Sequence, residues 1–381
     1  MSKQKIRVAV VCGGKSAEHE VSLTSAKNII NALDQNKYEA HLLVLDRQGR
    51  LLSTVSAQRY LNNKLGDVMP KLGAEIASNS EEKLDNEYVT IVRDETSANL
   101  IPLTRESDKT PIDVIFPVMH GPDGEDGSIQ GLARLANVAL VGSNVLGSAV
   151  NMDKDVMKRL LLQAGFPIAN YIAFCNSRRD YLTFDAVTDK LGCPFFVKPA
   201  NLGSSVGVSK VEFREDFDSA VEDAFYYDTK IICEEFIVGR ELECAVLGTE
   251  APIASVPGEI VVLDNEKFYS YDTKYLNEHG ALLKIPADLP DEVVERVQQM
   301  ACQAFVSTYC EGMARVDFFF TQDQQLIINE LNTIPGFTDV SMYPKLLEAS
   351  GMSLTEVLDW LIKDALQRFK ERARLKTKVD I

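Results

Sequence analysis

The stretch Phe195–Val211 constrains the fold more than any other part of the chain. It predicts a strand that ends in Lys198, a loop rich in glycine and serine over Gly203–Gly207, and a second strand over Val208–Val211. The glycines allow backbone N–H groups to turn inward, the serines add donors and the lysine adds a positive charge, so the pattern indicates a phosphate cradle. It is not a Walker loop, in which the lysine follows the last glycine and opens a helix. The alternative is a flexible turn between two strands.

Composition restricts the kind of protein. With 381 residues, 45% of them hydrophobic, the chain is long enough for two or three domains. A net charge of -16 disfavours nucleic-acid or membrane partners, so any phosphate site has to be local. Seven cysteines without a C-x-x-C pair, and an early apolar run confined to Val8–Cys12, predict reduced thiols and a cytoplasmic location.

A strand, a loop and a helix are predicted at the start of the chain. The apolar run Ile6–Val11 predicts a buried parallel strand that leads into Gly13–Ser16, and a helix is predicted from about Val21 to Leu33. No G-x-G-x-x-G follows the strand, which disfavours a nicotinamide cofactor. The loop carries Glu18, and an acidic residue there either complements the helix dipole or binds a substrate ammonium.

Further strands of this first region are predicted over Tyr38–Leu45, Ile112–Val118 and Val138–Val141. The intervening segment Leu51–Pro111 is polar and irregular, with its clearest strand over Tyr88–Val92. The third strand opens into the loop His120–Gly127. Because ligands of open α/β sheets lie beyond the carboxyl ends of strands, this loop and the Glu18 loop are expected to share a crevice. The alternative for His120 is a structural role.

The middle of the chain predicts a small α+β unit. A single helix over about Leu146–Ala164 carries Lys154, which is either a solvated surface lysine or a ligand contact. A helix near Phe217–Tyr226 and a strand over Lys230–Phe236 follow. Glu234 and Glu241 flank a short connector, where they are either solvated or positioned to accept hydrogen bonds from a ribose.

A metal site is predicted on a hairpin near the C-terminus, formed by Met313–Phe320 and Gln325–Leu331. An even-numbered turn pairs Arg315 with Glu330 and Asp317 with Ile328, whereas an odd-numbered turn removes this arrangement. Carboxylate and amide oxygens without sulfur or imidazole suit Mg2+. The oxygen ligands on this face are Asp317, Glu330 and Asn332. The alternative is the polar face of an exposed hairpin.

Several motifs follow one another in a characteristic order: Gly13–Ser22, His120–Gly127, Lys198–Gly207, Lys274–Tyr275 and Arg315–Gly336. On these motifs the chain resembles the D-alanine–D-alanine ligases of the ATP-grasp superfamily over nearly its whole length. The resemblance implies an α/β protein with the ATP-grasp fold. It implies an N-terminal Rossmann-like parallel α/β domain over 1–145, a small central α+β lid domain over 146–234, and a C-terminal α+β catalytic domain with an antiparallel sheet over 235–381.

The resemblance also implies residue roles. ATP contacts would come from Lys154, Lys198, Ser204, Ser205, Glu234, Glu235, Ile237, Glu241, Lys274 and Asn329, with Ser204 in a lid over the phosphates. Two Mg2+ ions, or Mn2+, would be bound by Asp317, Glu330 and Asn332. Substrate contacts would be Glu18 with the first D-alanine ammonium, His120 near its carboxylate, Arg315 and the N–H of Gly336 at the oxyanion, and Ser341 and Met342 at the second D-alanine. Two residues depart from some members of the family: Glu235 replaces a basic residue and Met342 replaces leucine.

The implied reaction is ATP-dependent ligation of two D-alanines through an acyl phosphate, for peptidoglycan precursor synthesis. The loops Gly203–Gly207 and Asp272–Ile285 would close to exclude water from the intermediate. Tyr275 would hydrogen-bond to Ser204 and favour an amine acceptor. The resemblance further implies a cytoplasmic homodimer whose partners are small molecules, with no nucleic acid or membrane.

Three alternatives are weighed against this interpretation. One is a related ATP-grasp ligase, such as a D-alanine–D-lactate ligase or another carboxylate–amine ligase. A second is a nicotinamide oxidoreductase, which the missing glycine fingerprint disfavours. The third is a nucleotide-binding module without chemistry, which is disfavoured by the joint presence of Arg315, Asp317, Glu330 and Asn332.

Overall fold

A computed structural model describes residues 4–65, 87–94, 97–103, 109–262 and 281–376. Four β-sheets organise these residues. The strands of the first sheet are β1 (Ile6–Gly13), β2 (Tyr38–Leu45), β3 (Leu51–Leu52), β7 (Val114–Pro117) and β8 (Ala139–Leu140). Their order is β3-β2-β1-β7-β8, and all neighbours are parallel except β2 and β3. The carboxyl ends of β1 and β7 therefore meet at one edge, as the sequence predicts.

The helices α1 (His19–Ala32), α2 (Thr54–Leu65) and α3 (Ser128–Leu135) accompany this sheet. The prediction that Leu51–Pro111 is irregular is wrong where the structure describes it. This part contains β3, α2 and a small antiparallel sheet of β4 (Val89–Arg93), β5 (Ala98–Pro102) and β6 (Thr110–Ile112). The run Ile112–Val118 likewise divides between two sheets at Asp113, whose carboxylate accepts hydrogen bonds from Arg7 Nε and Nη2 at 2.9 and 2.7 Å.

The helix predicted over Leu146–Ala164 is two helices, α4 (Val145–Met152) and α5 (Lys154–Gln163). Asp153 separates them because its backbone is extended and its carboxylate accepts from the N–H groups of Asp155 and Val156, both at 3.1 Å. This is the geometry of an N-cap. Lys154 therefore lies in the first turn of a new helix rather than in the middle of a long one.

The central sheet is antiparallel with the order β11-β10-β12-β9. Its strands are β9 (Tyr171–Cys175), β10 (Phe195–Pro199), β11 (Ser209–Val211) and β12 (Lys230–Glu235), and α6 (Phe184–Leu191), α7 (Arg214–Tyr227) and a 3-10 helix (Asn176–Tyr181) pack beside it. Phe195 and Phe217 meet edge to face inside its core. The lysine and the glycine-rich loop at the end of β10 are thus held by a core of their own.

The last sheet is antiparallel and has the order β16-β15-β13-β17-β18, with β14 beside β13. Its strands are β13 (Gly239–Leu247), β14 (Ile253–Ala254), β15 (Gly258–Val262), β16 (Ala281–Lys284), β17 (Met313–Thr321) and β18 (Leu326–Asn332). The helix α8 (Asp291–Ser307) covers one face through Val297, Ala301 and Phe305, which are fully buried. The opposite face of β17 and β18 is left for polar side chains.

Two C-terminal helices, α9 (Met342–Ala349) and α10 (Leu354–Ala373), return to the first sheet. Leu358 and Leu361 of α10 belong to the same buried cluster as Val8 and Phe116. Arg368 reinforces this contact, because its Nη2 donates to the carbonyls of Leu140 and Gly142 at 3.2 and 3.1 Å. The division at residues 145 and 234 stays a prediction. No helix among the described residues is long and apolar enough to cross a membrane.

Candidate active site

The register of the β17–β18 hairpin differs from the prediction. Thr321 N donates to the Gln325 carbonyl at 3.0 Å, so the turn has an odd number of residues. A β-bulge between Asp317 and Phe318 offsets the one-residue shift that the odd-numbered turn introduces. Phe318 pairs with Ile328, whereas Asp317 pairs with Glu330. Asn329 is the extra residue of the bulge. The predicted pairs of Arg315 with Glu330 and of Asp317 with Ile328 are therefore wrong. Because of the bulge, Glu330 faces Asp317 directly while Ile328 faces the apolar core.

Three carboxylates lie side by side across the sheet. Glu243 of β13 is opposite Asp317 of β17, which is opposite Glu330 of β18. Like charges at such positions repel. Two cations offset the repulsion: Arg315 Nε is 3.0 Å from Glu243 Oε2, and Lys154 Nζ is 3.3 Å from Glu330 Oε2. Arg315 also donates to both oxygens of Asp317, at 2.8 and 2.7 Å.

Arg315 is held in the charged state. Burial opposes its charge, but Asp317 and Glu243 outweigh that effect and hold the pKa of Arg315 well above its ordinary value. Its guanidinium lines a cavity together with the Gly336 backbone. A permanent cation and a backbone N–H that line one cavity can both stabilise a developing oxyanion.

The oxygen atoms of this face fit a hard cation. Asn332 Nδ2 donates to Asp317 Oδ2 at 3.0 Å, so the amide touches the carboxylate pair, and half a turn of the amide would present its oxygen instead. No three His, Cys, Asp or Glu side chains converge on one point anywhere in the described ranges. Asn332 adds an amide oxygen to the two carboxylates that this face could offer a cation. Such a sparse set suits Mg2+, which keeps positions for water and substrate phosphates.

A second cluster of charges lies between α5 and the central sheet. Glu234 is 2% exposed and forms ion pairs with Lys198 of β10 and with Lys158 of α5. Lys154, one helical turn before Lys158, donates to the Leu202 carbonyl at 2.7 Å. Lys154 and Lys198 keep partial access to solvent and can therefore meet a phosphate, whereas Lys158 is fully buried against Glu234.

The two lysine contacts also fix the charge of the carboxylate. Burial favours the neutral acid, but Lys158 and Lys198 outweigh it and keep the pKa of Glu234 below its ordinary value. Burial lowers the pKa of Lys158, although Glu234 opposes that effect. Glu234 is therefore ionised and paired with both lysines.

The loop after Lys198 reaches across to α1. Ser204 and Ser205 both have positive φ angles, 52° and 58°, which is a strained conformation for residues other than glycine. Gly207 has a φ of 67°, and a Cβ atom there would come within 2.7 Å of the Tyr227 ring. The Ser204 hydroxyl donates to Glu18 Oε1. The phosphate-type loop is therefore in direct contact with the carboxylate at the start of α1.

A cavity of about 100 Å³ lies beneath this contact. It is far smaller than a drug-sized pocket, so it suits small polar molecules. The lining residues include Glu18, His120, Ser204, Arg315, Glu330, Asn332, Gly336, Ser341 and Met342. The α1 helix begins at His19, earlier than predicted, with Glu18 at its N-cap position.

His120 and Glu125 hold the wall of this cavity. His120 Nδ1 lies 2.9 Å from the Ile334 carbonyl, which can only accept, so Nδ1 carries a proton. Its Nε2 is buried and has no hydrogen-bond partner within the described part of the chain. Glu125 accepts from the N–H groups of Gly121 and Ile334, at 2.9 and 3.1 Å, and burial raises its pKa.

Gly336 and Ser341 shape the far end of the cavity. A Cβ atom on Gly336 would lie 2.6 Å from Ser341 Oγ, so only glycine fits without displacing the serine. Ser341 Oγ also accepts from the Thr338 N–H at 3.0 Å. Met342 is buried beside it and contacts the backbone at Gly258. Most residues of the loop from Ile334 to Ser341, together with Met342 at the start of α9, thus line the cavity.

Comparison with known proteins agrees with this geometry. The family model described as the N-terminus of D-ala D-ala ligase matches residues 7–143, and the model described as its C-terminus matches residues 160–363. The chain belongs to the D-alanine–D-alanine ligase family. A D-alanine–D-alanine ligase of Oceanobacillus iheyensis is 49% identical over 373 residues, which are 98% of each chain.

Solved structures of the family share the fold. The D-alanine–D-alanine ligase from Coxiella burnetii is 35% identical with a TM-score of 0.79, over 98% of this chain and 97% of that one. The VanG D-Ala:D-Ser ligase from Enterococcus faecalis is 33% identical with a TM-score of 0.80, over 94% and 99%. The predicted family and the ATP-grasp fold are confirmed.

The structure brings most of the residues suggested by the family resemblance into one region. Two of them, Lys274 and Tyr275, lie outside the described residues, as does most of the loop predicted to close over the site. Glu235 accepts from the N–H and the side-chain amide of Asn170, at 2.7 and 2.9 Å. Its side chain is therefore directed to Asn170. Ile237 is partly buried in the connector before β13.

Three residues near the candidate site were not predicted from the sequence as site residues: Lys158, Glu125 and Glu243. Lys158 follows Lys154 by one helical turn, a spacing that places both lysines on one helix face. Glu125 lies within the predicted loop His120–Gly127, and Glu243 follows Glu241 by one strand repeat. The spacing of the sequence indicates that Lys158 shares a helix face with Lys154 and that Glu243 shares a strand face with Glu241. It does not indicate which of these faces the fold buries.

Proposed function

We propose that this site ligates two D-alanine molecules at the expense of ATP, giving D-alanyl-D-alanine for peptidoglycan precursors. The contact between Ser204 and Glu18 carries the proposal. It joins a loop suited to phosphate oxygens with a carboxylate suited to an amino-acid ammonium. A phosphoryl donor and an amino acid can therefore meet in one small cavity, which is what activation of a carboxylate by ATP requires.

The first step would be phosphorylation of the first D-alanine. Glu18 would bind its ammonium, and His120 Nε2, which is buried at the cavity wall, would face its carboxylate. Lys154 and Lys198 would hold the ATP phosphates, with Ser204 and Ser205 over them. Glu234 would act by orienting Lys198, while Glu241, Glu235, Ile237, Lys274 and Asn329 would surround the rest of the nucleotide.

Magnesium would be held by Asp317, Glu330 and Asn332. Two bound Mg2+ ions, or Mn2+, would offset the charge of the phosphates and leave the γ-phosphorus open to attack. The ion pair between Lys154 and Glu330 at 3.3 Å supports this arrangement, because it keeps a lysine next to a carboxylate of the proposed metal site. The donor set is oxygen only, which supports a hard cation rather than zinc.

The second step would be attack of the second D-alanine on the acyl phosphate. Arg315 and the Gly336 N–H would stabilise the tetrahedral oxyanion. Ser341 and Met342, at the far end of the cavity, would receive the second amino acid. Tyr275 would hydrogen-bond to Ser204 and favour an amine acceptor. Closure of the Ser204 loop would exclude water, because water hydrolyses the acyl phosphate.

A homodimer and a cytoplasmic location complete the proposal. Family resemblance supports the dimer. All seven cysteines are unpaired, which is expected of a protein in a reducing compartment. The partners are ATP and D-alanine, and the net charge of -16 argues against nucleic acid.

Product analysis tests the function. The purified protein is incubated with MgATP and D-alanine, and ADP and dipeptide are measured together, with L-alanine as the matched control. We expect one ADP per D-alanyl-D-alanine and no product with L-alanine. ADP release without dipeptide would refute the proposal.

Competing acceptors test its specificity. D-alanine is offered together with D-serine, the acceptor named for the VanG relative, or with D-lactate. D-alanyl-D-alanine should predominate at pH 7.5, and Tyr275→Phe should gain D-lactate use near pH 6, where the competing amine is more protonated. A product dominated by D-serine or D-lactate would contradict the acceptor assignment while leaving the ligase chemistry intact.

A further inference from the structure

Helix α1 carries two buried polar side chains and one partly buried polar side chain along one side. Ser22, Ser25 and Asn28 are spaced by three residues, so they follow one side of the helix. Ser22 and Ser25 are fully buried although serine is a weaker helix former than alanine. Each therefore has to satisfy its hydroxyl inside the protein. We call these three residues the α1 polar stripe.

Ser22 joins the ends of two strands. Its hydroxyl accepts from the Gly13 N–H at 2.8 Å and donates to the Val118 carbonyl at 2.5 Å. Gly13 ends β1, and Val118 directly follows β7. The loops that lead to Glu18 and His120 thus begin from one shared hydroxyl group.

Ser25 and Asn28 hold a third loop. Ser25 Oγ accepts from the Phe337 N–H at 3.1 Å, and Asn28 Nδ2 donates to the Phe337 carbonyl at 3.0 Å. Asn28 Nδ2 also donates to Asp339 Oδ1 at 2.9 Å. Both backbone polar groups of Phe337 are therefore bound by α1, and its ring packs edge to face on Phe116 and Tyr343.

Phe337 lies next to Gly336, whose backbone faces the cavity. Two residues before Gly336, Ile334 is bound through its N–H by Glu125 and through its carbonyl by His120. Gly336 is thus fixed from both sides, by the His120 loop at Ile334 and by α1 at Phe337. The N-terminal end of the same helix carries Glu18. One rigid element therefore sets the distance between Glu18 and the Gly336 backbone.

We propose that Ser25 and Asn28 are positioning residues, which hold the Gly336 N–H and the adjoining Ser341 subsite in register with Glu18. The proposal rests on the proposed ligation of two D-alanines. Loosening Phe337 would displace the oxyanion donor and the second amino-acid subsite, but it would leave the lysines that bind ATP unchanged. Attack on the acyl phosphate should then suffer more than its formation.

The test uses Ser25→Ala, Asn28→Ala and the double variant in the full chain. We expect kcat for dipeptide to fall by about tenfold or more in the double variant, since small displacements of reacting groups have effects of this size. The KM for the second D-alanine should rise, the KM for ATP should stay within about twofold, and ADP released per dipeptide should exceed one. Ser25→Thr keeps the hydroxyl and should restore coupling.

Thr355→Val is the matched control. Thr355 Oγ1 donates to the Ala32 carbonyl at 2.8 Å, so it binds the other end of α1, away from the cavity. It should leave the ratio of ADP to dipeptide at one. Hydrogen exchange adds a readout that needs no substrate: the Phe337 amide should lose protection in Ser25→Ala and keep it in Thr355→Val.

The outcomes separate this proposal from the proposed function. A wild type that makes no dipeptide overturns the function, whereas the exchange experiment still tests the hydrogen bond. Wild-type kcat and coupling in the double variant overturn the positioning role. So does a loss of activity that simply follows a loss of thermal stability with the ratio of ADP to dipeptide unchanged.

Discussion

At the scale of single residues, Glu234 is more deeply enclosed than its position in the sequence indicates. A carboxylate at a strand end was predicted to be solvated or to face a ribose, yet Glu234 is enclosed by Lys158 and Lys198. Lys198 was predictable because a strand, a lysine and a glycine-rich loop follow one another. Lys158 was not predictable, because its pairing with Glu234 depends on a helix that starts at Lys154, after the N-cap Asp153, and on which face of that helix the fold buries.

Lys198→Ala should weaken ATP use without unfolding the protein. Loss of a phosphate-binding charge should remove roughly 2 to 4 kcal/mol of transition-state stabilisation. This loss should appear as a lower kcat/KM for ATP. Glu234 keeps Lys158 as its partner, so the fold should survive. Steady-state kinetics with varied ATP measure the effect, and Lys190→Ala, at an exposed position of α6, is the control. Unchanged ATP kinetics would exclude Lys198 from the cradle.

Lys158→Met should destabilise the protein by about 3 kcal/mol, because removal of one partner leaves a buried carboxylate with less compensation. Adding Glu234→Gln should recover part of this loss, since it removes the buried carboxylate, and Lys198, which then loses its partner, keeps partial access to water. Urea unfolding of both variants measures the free energy of unfolding, with Lys190→Met as the control. If Lys158→Met is as stable as the wild type, the pair contributes nothing to the folded state.

At the scale of elements, the hairpin shows what sequence pattern can and cannot provide. Alternating apolar residues predicted both strands, and the grouping of Asp317, Glu330 and Asn332 on one face was anticipated. The register was not, because the turn is odd-numbered and only the bulge at Asn329 restores the face of Glu330. A bulge depends on how the core takes up Phe318 and Ile328, and this is a property of the folded sheet.

Activity should require Mg2+ or Mn2+, and Glu330→Gln should abolish it. The variant keeps the size of the side chain but removes one of the two ligand charges, while Zn2+ should substitute poorly for an oxygen-only site. The measurement is ADP formation with each metal and with excess chelator. Glu348→Gln removes an exposed carboxylate of α9 and is the control. Full turnover in chelator would contradict the metal site.

At the scale of the whole molecule, ion pairs join α10 to the first sheet. Asp359 accepts from Tyr38 Oη at 2.8 Å and from Lys37 Nζ at 3.0 Å, and it pairs with Lys363. Burial opposes its ionisation, but these partners outweigh burial and lower the pKa of Asp359 to about 2. An unfolded aspartate has a pKa of about 3.9. The stabilisation is therefore complete above that value and is lost as the pH falls through about 2.

Asp359→Asn should lower the free energy of unfolding at pH 7 by only about 0.5 to 1 kcal/mol, because the two lysines that pair with Asp359 are more than half exposed and water screens their charges. The difference between variant and wild type should be smaller at pH 3 than at pH 7, since the wild-type carboxylate begins to lose its advantage there. Urea midpoints at the two pH values measure it, with Glu348→Gln as the control. A difference independent of pH would show that the charge of Asp359 is not responsible.

The return of α9 and α10 to the first sheet has a consequence for the nascent chain. Met342, Tyr343, Leu358 and Leu361 complete the cluster that contains Val8 and Leu23. A ribosome that has synthesised residues 1–145 still has to add the chain up to residue 342, which takes on the order of ten seconds or more at about 5–20 residues per second. During that interval the part of the apolar cluster that these four residues cover stays exposed, so chaperone binding should be concentrated there until the last helices emerge.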